Sequence, residues 1–401
     1  MTTALLPARR LRGFGNTVFA EMSELAARTG AINLGQGFPD TDGPARIREA
    51  AVRALRDGRG NQYPPATGVP ELRRAVAAHQ LLRYGLDVDP DREVLVTAGA
   101  TEAIAAALLA LVEPGDEVVV LEPYYDSYAA AIAMCGGVRV PVTLRPRDGS
   151  FRLDPDELRA AITDRTRLLL VNTPHNPTGT VLSAAELAAL TELAVERDLL
   201  VVSDEVYEHV VFDGRHVPLA TLPGMRERTV TIGSAGKTFS FTGWKVGWVT
   251  APARLVAAIR SVKQYLTYVS AGPLQYAVAE ALRLPSAYFD GLRENLRVRR
   301  DLLADGLEKA GFLTYRPAGT YFVTADIRPL GAEQSAGGDG AAFCRALAER
   351  AGVVAIPSSV FYDHRSEGAP YVRFAFCKRI AVLEEAVRRL GAWPLSGRTP
   401  S

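Results

Sequence analysis

A lysine in a loop of small residues is the first candidate for chemistry in this chain of 401 residues. Lys237 lies in Ser234-Ala-Gly-Lys-Thr, directly after an apolar stretch that predicts a strand. A lysine that forms a Schiff base with a carbonyl compound needs a restricted, partly desolvated pocket, whereas most lysines are solvated surface residues. The Gly-Lys-Thr triplet is also part of a phosphate-binding loop pattern, but that pattern requires glycine where Thr231 stands. Nucleotide binding is therefore rejected.

Three polar side chains follow two further apolar stretches of the chain. Asn176, in a turn-forming Asn-Pro-Thr-Gly segment, could simply make a turn or donate to the phenolate oxygen of a pyridoxal ring. Asp204 ends an otherwise apolar stretch, and its carboxylate could cap a helix or pair with the nitrogen of such a ring. Tyr207 could donate to the same phenolate oxygen as Asn176, and two donors would stabilise its anionic form.

A helix start and two nearby side chains could bind a phosphate group. Gly99-Ala-Thr101-Glu opens a predicted helix, whose free backbone N–H groups and dipole favour an anion. Ser234 and Lys245 could add a hydroxyl and a cation. Tyr125 could stack on an aromatic ring, although tyrosine is also a good core residue.

An arginine lies within a stretch that otherwise predicts a buried strand. Arg373 occurs in Tyr371-Val-Arg-Phe-Ala-Phe, and a buried guanidinium needs a partner. A substrate α-carboxylate gripped through two hydrogen bonds is one candidate, and an internal ion pair with Asp or Glu is the other.

The elements that must position these residues read as an α/β fold. Apolar runs that predict strands alternate with helical patterns, and runs without alternation are typical of a mostly parallel sheet covered on both faces. In such a sheet the ligand binds outside the carboxyl ends of the strands. Gly99, the segment 172–179, Asp204 and the segment 234–237 fall there. A helix capped by Ser183 and Glu186 separates two of the strands. Beyond about Pro285 the pattern changes to α+β. The predicted strands lie at 93–98, 117–122, 167–172, 199–204, 229–233 and 245–250.

Composition excludes several other classes of protein. The net charge is +1, from 46 basic and 45 acidic residues, which gives no reason to expect nucleic acid or a membrane surface as partner. The apolar run from Ala103 to Val112 is far shorter than the roughly 20 residues of a membrane span. Residues 1–7 do not resemble a secretory signal.

Three cysteines without Cys-x-x-Cys spacing predict a reducing, cytoplasmic location. The five scattered histidines predict no metal site.

Together and in this order, the motifs resemble the class I (fold-type I) aminotransferases, which use pyridoxal 5'-phosphate. The similar branch contains kynurenine, methionine and succinyldiaminopimelate aminotransferases. The resemblance extends from about Phe19 to Leu390 and is carried by these stretches: 32–40, Asn61-Gln-Tyr63, 122–126, 176–179, 204–207, 234–248, 319–322 and 372–378. It implies a seven-stranded, mostly parallel sheet with helices on both faces and a smaller α+β domain. The implied domains are an N-terminal segment 1–40 joining the small domain, a cofactor domain 41–285 and a small domain 286–401.

The resemblance also implies a role for each candidate residue. Lys237 would be the Schiff-base lysine and proton shuttle, with catalytic partners Asp204 and Tyr207. Substrate would contact Arg373, Gly37 and Asn176. The remaining implied cofactor contacts are Tyr125 on the ring, and Ala100, Thr101, Ser234 and Lys245 on the phosphate, which Tyr63 would reach from the second subunit of a homodimer.

The sequence differs from some members of this family at three positions that bear on substrate choice. Two alternative substrate classes stay open. Aromatic-preferring members carry large side chains where Thr101, Ser270 and Ala271 stand. The best match is an enzyme that resembles N-succinyldiaminopimelate aminotransferase and uses an L-amino acid and a 2-oxo acid. The alternative is a kynurenine, glutamine or methionine aminotransferase with β-lyase side activity. A pyridoxal-binding transcription regulator would need a DNA-binding domain, for which the stretch before residue 19 leaves no room.

Overall fold

A seven-stranded sheet forms the centre of the molecule in the computed structural model, which describes residues 8–15, 17–331 and 335–393. Fifteen strands occur in the described residues: β1 Ile32–Asn33, β2 Val94–Thr97, β3 Glu117–Glu122, β4 Val138–Thr143, β5 Arg145–Arg147, β6 Ser150–Arg152, β7 Thr166–Asn172, β8 Leu200–Asp204, β9 Thr229–Ser234, β10 Gly247–Thr250, β11 Leu313–Tyr315, β12 Phe322–Asp326, β13 Val353–Val354, β14 Ile356–Pro357 and β15 Tyr371–Ala375.

Helices cover this sheet and build the C-terminal part of the chain. The described residues form α1 Val18–Thr29, α2 Ala45–Arg56, α3 Pro70–Tyr84, α4 Gly99–Leu111, α5 Ser127–Cys135, α6 Pro155–Ala161, α7 Ala184–Glu196, α8 Ala235–Thr238, α9 Ala253–Lys263, α10 Gly272–Ala281, α11 Ser286–Lys309, α12 Gly340–Arg350, α13 Arg365–Gly368 and α14 Ile380–Ala392. None of them combines the length and hydropathy needed to cross a bilayer.

The central sheet is mostly parallel, as the apolar strands predict. Its order is β2-β10-β9-β8-β7-β3-β4, and β10 runs antiparallel to both of its neighbours. The register places Asn172 opposite Asp204 at the carboxyl ends of β7 and β8. Ser234 lies opposite Gly247 on the other side of the sheet's midline. These pairings bring the predicted site residues together at the same end of the central strands.

Burial on both faces explains why the strands lack polar alternation. Along β7, Leu168 and Leu170 pack into a core with α4, α5 and α9. Leu169 and Val171, which point to the opposite face, pack with α6 and α7. Since successive residues of a strand face opposite sides, a doubly covered sheet requires apolar residues at every position. The predicted α/β fold is confirmed.

Two strands differ from the sequence prediction for local physical reasons, whereas one predicted helix start is confirmed. Strand β4 was not predicted because it is a partly exposed edge strand with Pro141 inside it, a residue tolerated mainly at sheet edges. Strand β10 begins at Gly247 rather than Lys245, because Lys245 adopts a left-handed φ of 52° that ends any extended run. The helix α7 does begin with the predicted capping box of Ser183 and Glu186.

A second, antiparallel sheet of order β11-β12-β15-β14 lies in the C-terminal part of the chain. Its core includes Leu303 of α11 and Leu383 of α14, together with Met22 and Leu34 from the N-terminal segment. The domain boundaries at 40 and 285 stay a prediction. Parts of the N-terminal and C-terminal units, residues 1–7, 16, 332–334 and 394–401, lie outside the described residues.

Candidate active site

A cavity of about 480 Å³ opens at the carboxyl ends of the central strands. Its lining brings together residues that are far apart in the sequence. All of the predicted site residues except Tyr63 line it: Gly37, Ala100, Thr101, Tyr125, Asn176, Asp204, Tyr207, Ser234, Lys237, Lys245 and Arg373. Tyr63 is 80% exposed and lies in a separate depression with Ser270 and Ala271.

Lys237 lies on the short helix α8, directly after β9, and its amine faces the cavity. The Nζ atom lies 5.7 Å from the ring centres of both Tyr207 and Tyr321, and its hydrogen bond to the Gly37 carbonyl oxygen is long, at 3.5 Å. Burial lowers the pKa of Lys237 to about 8, against a smaller raising effect of the Asp204 charge. An amine with this pKa exists partly as the neutral nucleophile near physiological pH.

We expect the chemical reactivity of Lys237 to follow this pKa. In protein freed of small ligands, the rate of labelling by a small amine-reactive reagent should reach half of its maximum near pH 8, because the neutral fraction of Nζ rises through that pH. The measurement is the pH dependence of labelling at this peptide by mass spectrometry, with an exposed lysine peptide as internal control. A midpoint above pH 10 would show that the amine is as solvated as an ordinary surface lysine.

Asp204 is held as a buried carboxylate at the floor of the cavity. The Tyr128 hydroxyl donates to Oδ2 at 2.6 Å, and the Val206 backbone N–H donates to Oδ1 at 3.3 Å. Burial raises the pKa of Asp204 to about 6, and the Tyr128 hydrogen bond opposes this rise. The residues after Asp204 form turns rather than a helix, so the alternative role of helix cap is not seen. The carboxylate is fixed in place with charge available for a cationic partner.

Tyr207 and Asn176 line the cavity beside Asn172, whose side chain forms a small polar network. The Tyr207 hydroxyl is buried beside the Tyr321 ring, and it has no hydrogen bond of good geometry among the described residues. The Asn172 side chain ties the network together, because it accepts from the Asn176 backbone N–H at 2.7 Å and donates to the Asp204 carbonyl at 2.8 Å. A buried donor without a partner is costly. The Tyr207 hydroxyl therefore indicates that a ligand atom in the cavity accepts its hydrogen bond.

Arg373 is the largest fully buried polar side chain of the site, at 1% exposure. Its guanidinium donates to Oδ1 of Asn176 at 2.9 Å and to the Gly35 carbonyl oxygen at 3.0 Å, and it lies 4.0 Å from the ring centre of Phe322. Burial lowers the pKa of Arg373 to about 10. Its hydrogen-bond partners in the described residues are neutral oxygens, and Nε has none. The guanidinium can therefore still donate hydrogen bonds to an anion.

The start of α4 and the residues around Lys245 form the opposite end of the cavity. A Cβ on Gly247 would lie 2.6 Å from the backbone of Gly99, so only glycine permits β10 to approach the helix start this closely. The Lys245 amine lies 3.3 Å from the point where a Cβ on Gly99 would stand. Free amides of the first helical turn, a cation and the nearby Ser234 are the elements of an anion site.

Tyr128 and Asn172 both orient catalytic candidates, although the sequence predicted no separate role for either of them. Tyr128 lies in an apolar helix, where nothing marks it as different from a core tyrosine. Asn172 was visible as a polar residue ending an apolar strand, which was the available signal. Phe19 and Phe322, which also line the cavity, carry no pattern that separates them from core residues.

Comparison with known proteins identifies the family. The model of the family "Aminotransferase class I and II" matches residues 29–390. The chain belongs to this family. It is therefore an enzyme, a transaminase, that acts on amino acids and oxo acids.

Relatives within the family include enzymes of several named specificities. The chain is 55% identical to the probable N-succinyldiaminopimelate aminotransferase of Mycobacterium tuberculosis, over 95% of this chain and 97% of the relative. The solved structure from that organism superposes with a TM-score of 0.93, covering 96% and 100% of the two chains. The methionine aminotransferase of Escherichia coli is 42% identical over 96% and 98%, and mouse kynurenine–oxoglutarate transaminase 3 is 39% identical over 96% and 90%.

Proposed function

We propose that this transaminase binds pyridoxal 5'-phosphate in the cavity and uses a long, polar-ended amino acid such as N-succinyldiaminopimelate, with glutamate or its oxo acid completing the cycle. The observation that carries the cofactor assignment is the convergence of Lys237, Asp204, Tyr207 and Asn176 on one cavity. The family and the names of its relatives support it.

The residues of the cavity fit the chemical groups of this cofactor. Lys237 would hold its aldehyde carbon covalently, and Asp204 would pair with its ring nitrogen. The unpartnered Tyr207 hydroxyl and the Asn176 amide would donate to its phenolate oxygen. Tyr125 would stack on the ring, and the phosphate would bind at the opposite end to Ala100, Thr101, Ser234 and Lys245.

The bound cofactor would supply a carbonyl carbon that accepts the amino group and an electron-withdrawing ring that makes the substrate α-hydrogen acidic. Lys237 would take the proton from the substrate α-carbon and deliver it to the carbon that was the aldehyde carbon of the cofactor, a task that suits an amine with a pKa of about 8. Asp204, kept anionic by its two donors, would hold the ring nitrogen protonated. Arg373 would fix the α-carboxylate, with Gly37 and Asn176 beside it.

The substrate proposal rests on relatives and on pocket size. The relative with 55% identity is named for N-succinyldiaminopimelate. Thr101 is a small residue of the cavity wall, and Ser270 and Ala271 lie in the exposed depression with Tyr63, where a second subunit would join them to its site. A roomy pocket favours long side chains, because each unfilled methylene position forfeits about 0.8 kcal/mol.

We expect purified enzyme to transfer the amino group of N-succinyldiaminopimelate to 2-oxoglutarate with a kcat/KM at least roughly 10-fold above that for alanine or aspartate, the difference that about two buried methylenes give. A panel of amino donors assayed at one 2-oxoglutarate concentration measures this. Dominant aspartate–oxaloacetate exchange, with the succinylated substrate inert, would remove the substrate proposal and leave the cofactor assignment standing.

The methionine and kynurenine relatives favour a second candidate specificity. In that case methionine, glutamine or kynurenine would lead the same panel, with a β-lyase reaction on cysteine conjugates as a side activity. Turnover measured with and without an oxo acid distinguishes the two reactions. Amino transfer stops without an oxo acid, whereas β-elimination continues.

The proposal includes a homodimer in which Tyr63 completes the site of the other subunit. Tyr63 packs edge-on against Tyr268, with ring centres 5.6 Å apart, and the nearby Tyr265 is 84% exposed. Solvent-exposed aromatic residues in a group of this kind are typical of a protein interface. A twofold axis would give each subunit the same contribution to the other's site.

Mixed dimers test this shared site. Neither Lys237→Ala nor Tyr63→Ala protein alone should have full activity, yet co-assembly of the two should restore one complete site per dimer, which contains Lys237 of one subunit and Tyr63 of the other. The expected turnover per mixed dimer approaches half of the wild-type dimer value. Co-assembled protein that is no more active than the Tyr63→Ala homodimer would show that Tyr63 acts within its own chain or not at all.

The proposed location is the cytoplasm. Cys135, Cys344 and Cys377 are all free and buried. Burial raises the pKa of each thiol, which keeps it unreactive. Such thiols fit a reducing compartment.

A further inference from the structure

We propose that a second site, formed by His79, Glu208 and His209, binds a divalent transition-metal ion such as Zn²⁺. One nitrogen of each imidazole and one carboxylate oxygen lie within 4.8 Å of one another. None of the three residues lines the catalytic cavity. The site is therefore separate from the chemistry proposed above and does not depend on it.

The two imidazoles face each other through the atoms that a metal would use. The Nε2 atoms of His79 and His209 lie 3.0 Å apart. Two nitrogens that each lie about 2.0–2.1 Å from a tetrahedral zinc ion are roughly 3.3 Å apart. The pair thus needs to open by only about 0.3 Å to hold an ion.

The third ligand is already turned toward this pair. Oε1 of Glu208 lies 3.8 Å from Nε2 of His209, while Oε2 accepts a hydrogen bond from the Tyr84 hydroxyl at 2.6 Å. Tyr84 thereby fixes the carboxylate and leaves Oε1 free for an ion. Two histidines and one carboxylate with an open fourth position form a donor set that zinc uses in proteins.

An outer contact of His79 favours the metal-binding form of its ring. Nδ1 of His79 lies 3.4 Å from the Leu282 carbonyl oxygen. A carbonyl oxygen can only accept a hydrogen bond, so this contact favours the tautomer with the proton on Nδ1 and the lone pair on Nε2. This arrangement of backbone carbonyl, histidine and metal is usual around bound zinc.

The location explains what an ion would do there. His79 and Tyr84 belong to α3, whereas Glu208 and His209 directly follow the segment that carries Asp204 and Tyr207. An ion would tie that segment to α3 behind the catalytic cavity. Because His79 and His209 are 130 residues apart in the sequence, no local spacing could reveal the pair. The proposal therefore departs from the prediction of no metal site.

The test is Zn²⁺ binding to the intact holoenzyme, measured by competition with a chromophoric chelator. We expect one Zn²⁺ per chain for the wild type and binding at least 100-fold weaker for His79→Gln and His209→Gln. Tyr84→Phe should bind about 10-fold more weakly, because loss of an outer contact costs 10–100-fold in affinity. His364→Gln removes a histidine whose side chain is 58% exposed and should leave binding unchanged.

Two further measurements keep the proposal open to refutation if a histidine variant fails to fold. Glu208→Gln is nearly isosteric and should weaken Zn²⁺ binding while its amide oxygen still accepts from Tyr84. Crystals of the wild type soaked in Zn²⁺ should show an anomalous peak between the two Nε2 atoms and Oε1. Absence of this peak, or stoichiometric binding that survives both histidine substitutions, would mean that the rings form only an N–H···N hydrogen bond.

Discussion

Replacing Lys237 by alanine is expected to abolish amino transfer while the protein remains folded. In the proposed mechanism, Lys237 both holds the cofactor covalently and moves the proton, so the substitution removes both functions. General acid–base catalysis alone contributes about 10²–10⁴-fold, so kcat should fall by at least this factor. The side chain ends in a cavity, and its removal deletes a buried amine whose only described hydrogen bond is long. Thermal unfolding should therefore change little.

Two lysine variants separate the roles of charge and of proton transfer. Lys237→Arg keeps a cation in the cavity, but a guanidinium does not release its proton at neutral pH, so this variant should be as inactive as Lys237→Ala. Lys245→Ala removes the other lysine of the cavity and should weaken cofactor binding, with activity regained at high cofactor concentration. Wild-type turnover by Lys237→Ala would overturn the assignment of the catalytic lysine.

The sequence predicted the fold and most of the cavity because both depend on local signals at strand ends. Doubly buried strands such as β7 are apolar at every position, and the polar residues that follow them must meet where parallel strands end. Lys237, Asp204 and Asn176 could be found in this way. The roles given to them came from a resemblance to a family, since the individual motifs were also compatible with turns and caps.

The sequence alone could not predict contacts between residues that are far apart in the chain. Tyr128 contacts Asp204 from a helix that looks like any apolar helix, and His79 meets His209 only through the packing of α3 against the segment after β8. Tyr63 was assigned to the cavity from a second subunit, and a single chain leaves it exposed. Tertiary contacts between chain-distant side chains follow from packing and leave no periodic trace.

Replacing Arg373 by alanine should raise KM for every amino and oxo acid substrate and change kcat much less. Hydrogen bonds to a charged partner contribute about 1.5–3 kcal/mol, which corresponds to roughly 10- to 150-fold in KM. The guanidinium already has two neutral partners and a donor without a partner, so a carboxylate would complete its contacts. A contribution that is equal in the ground and transition states changes KM rather than kcat.

Matched variants and substrates distinguish carboxylate binding from a structural role of Arg373. Arg300 is also buried, donates to the Pro317 carbonyl oxygen at 3.1 Å and does not line the cavity. Arg300→Ala should lower the unfolding temperature and leave KM unchanged.

Arg373→Lys should recover only part of the affinity, because an ammonium keeps the positive charge but lacks the two-pronged geometry of guanidinium. An amine substrate without the α-carboxylate should react equally with wild type and Arg373→Ala. If Arg373→Ala instead leaves KM for α-amino acids unchanged and only lowers stability, Arg373 supports the fold and another residue binds the carboxylate.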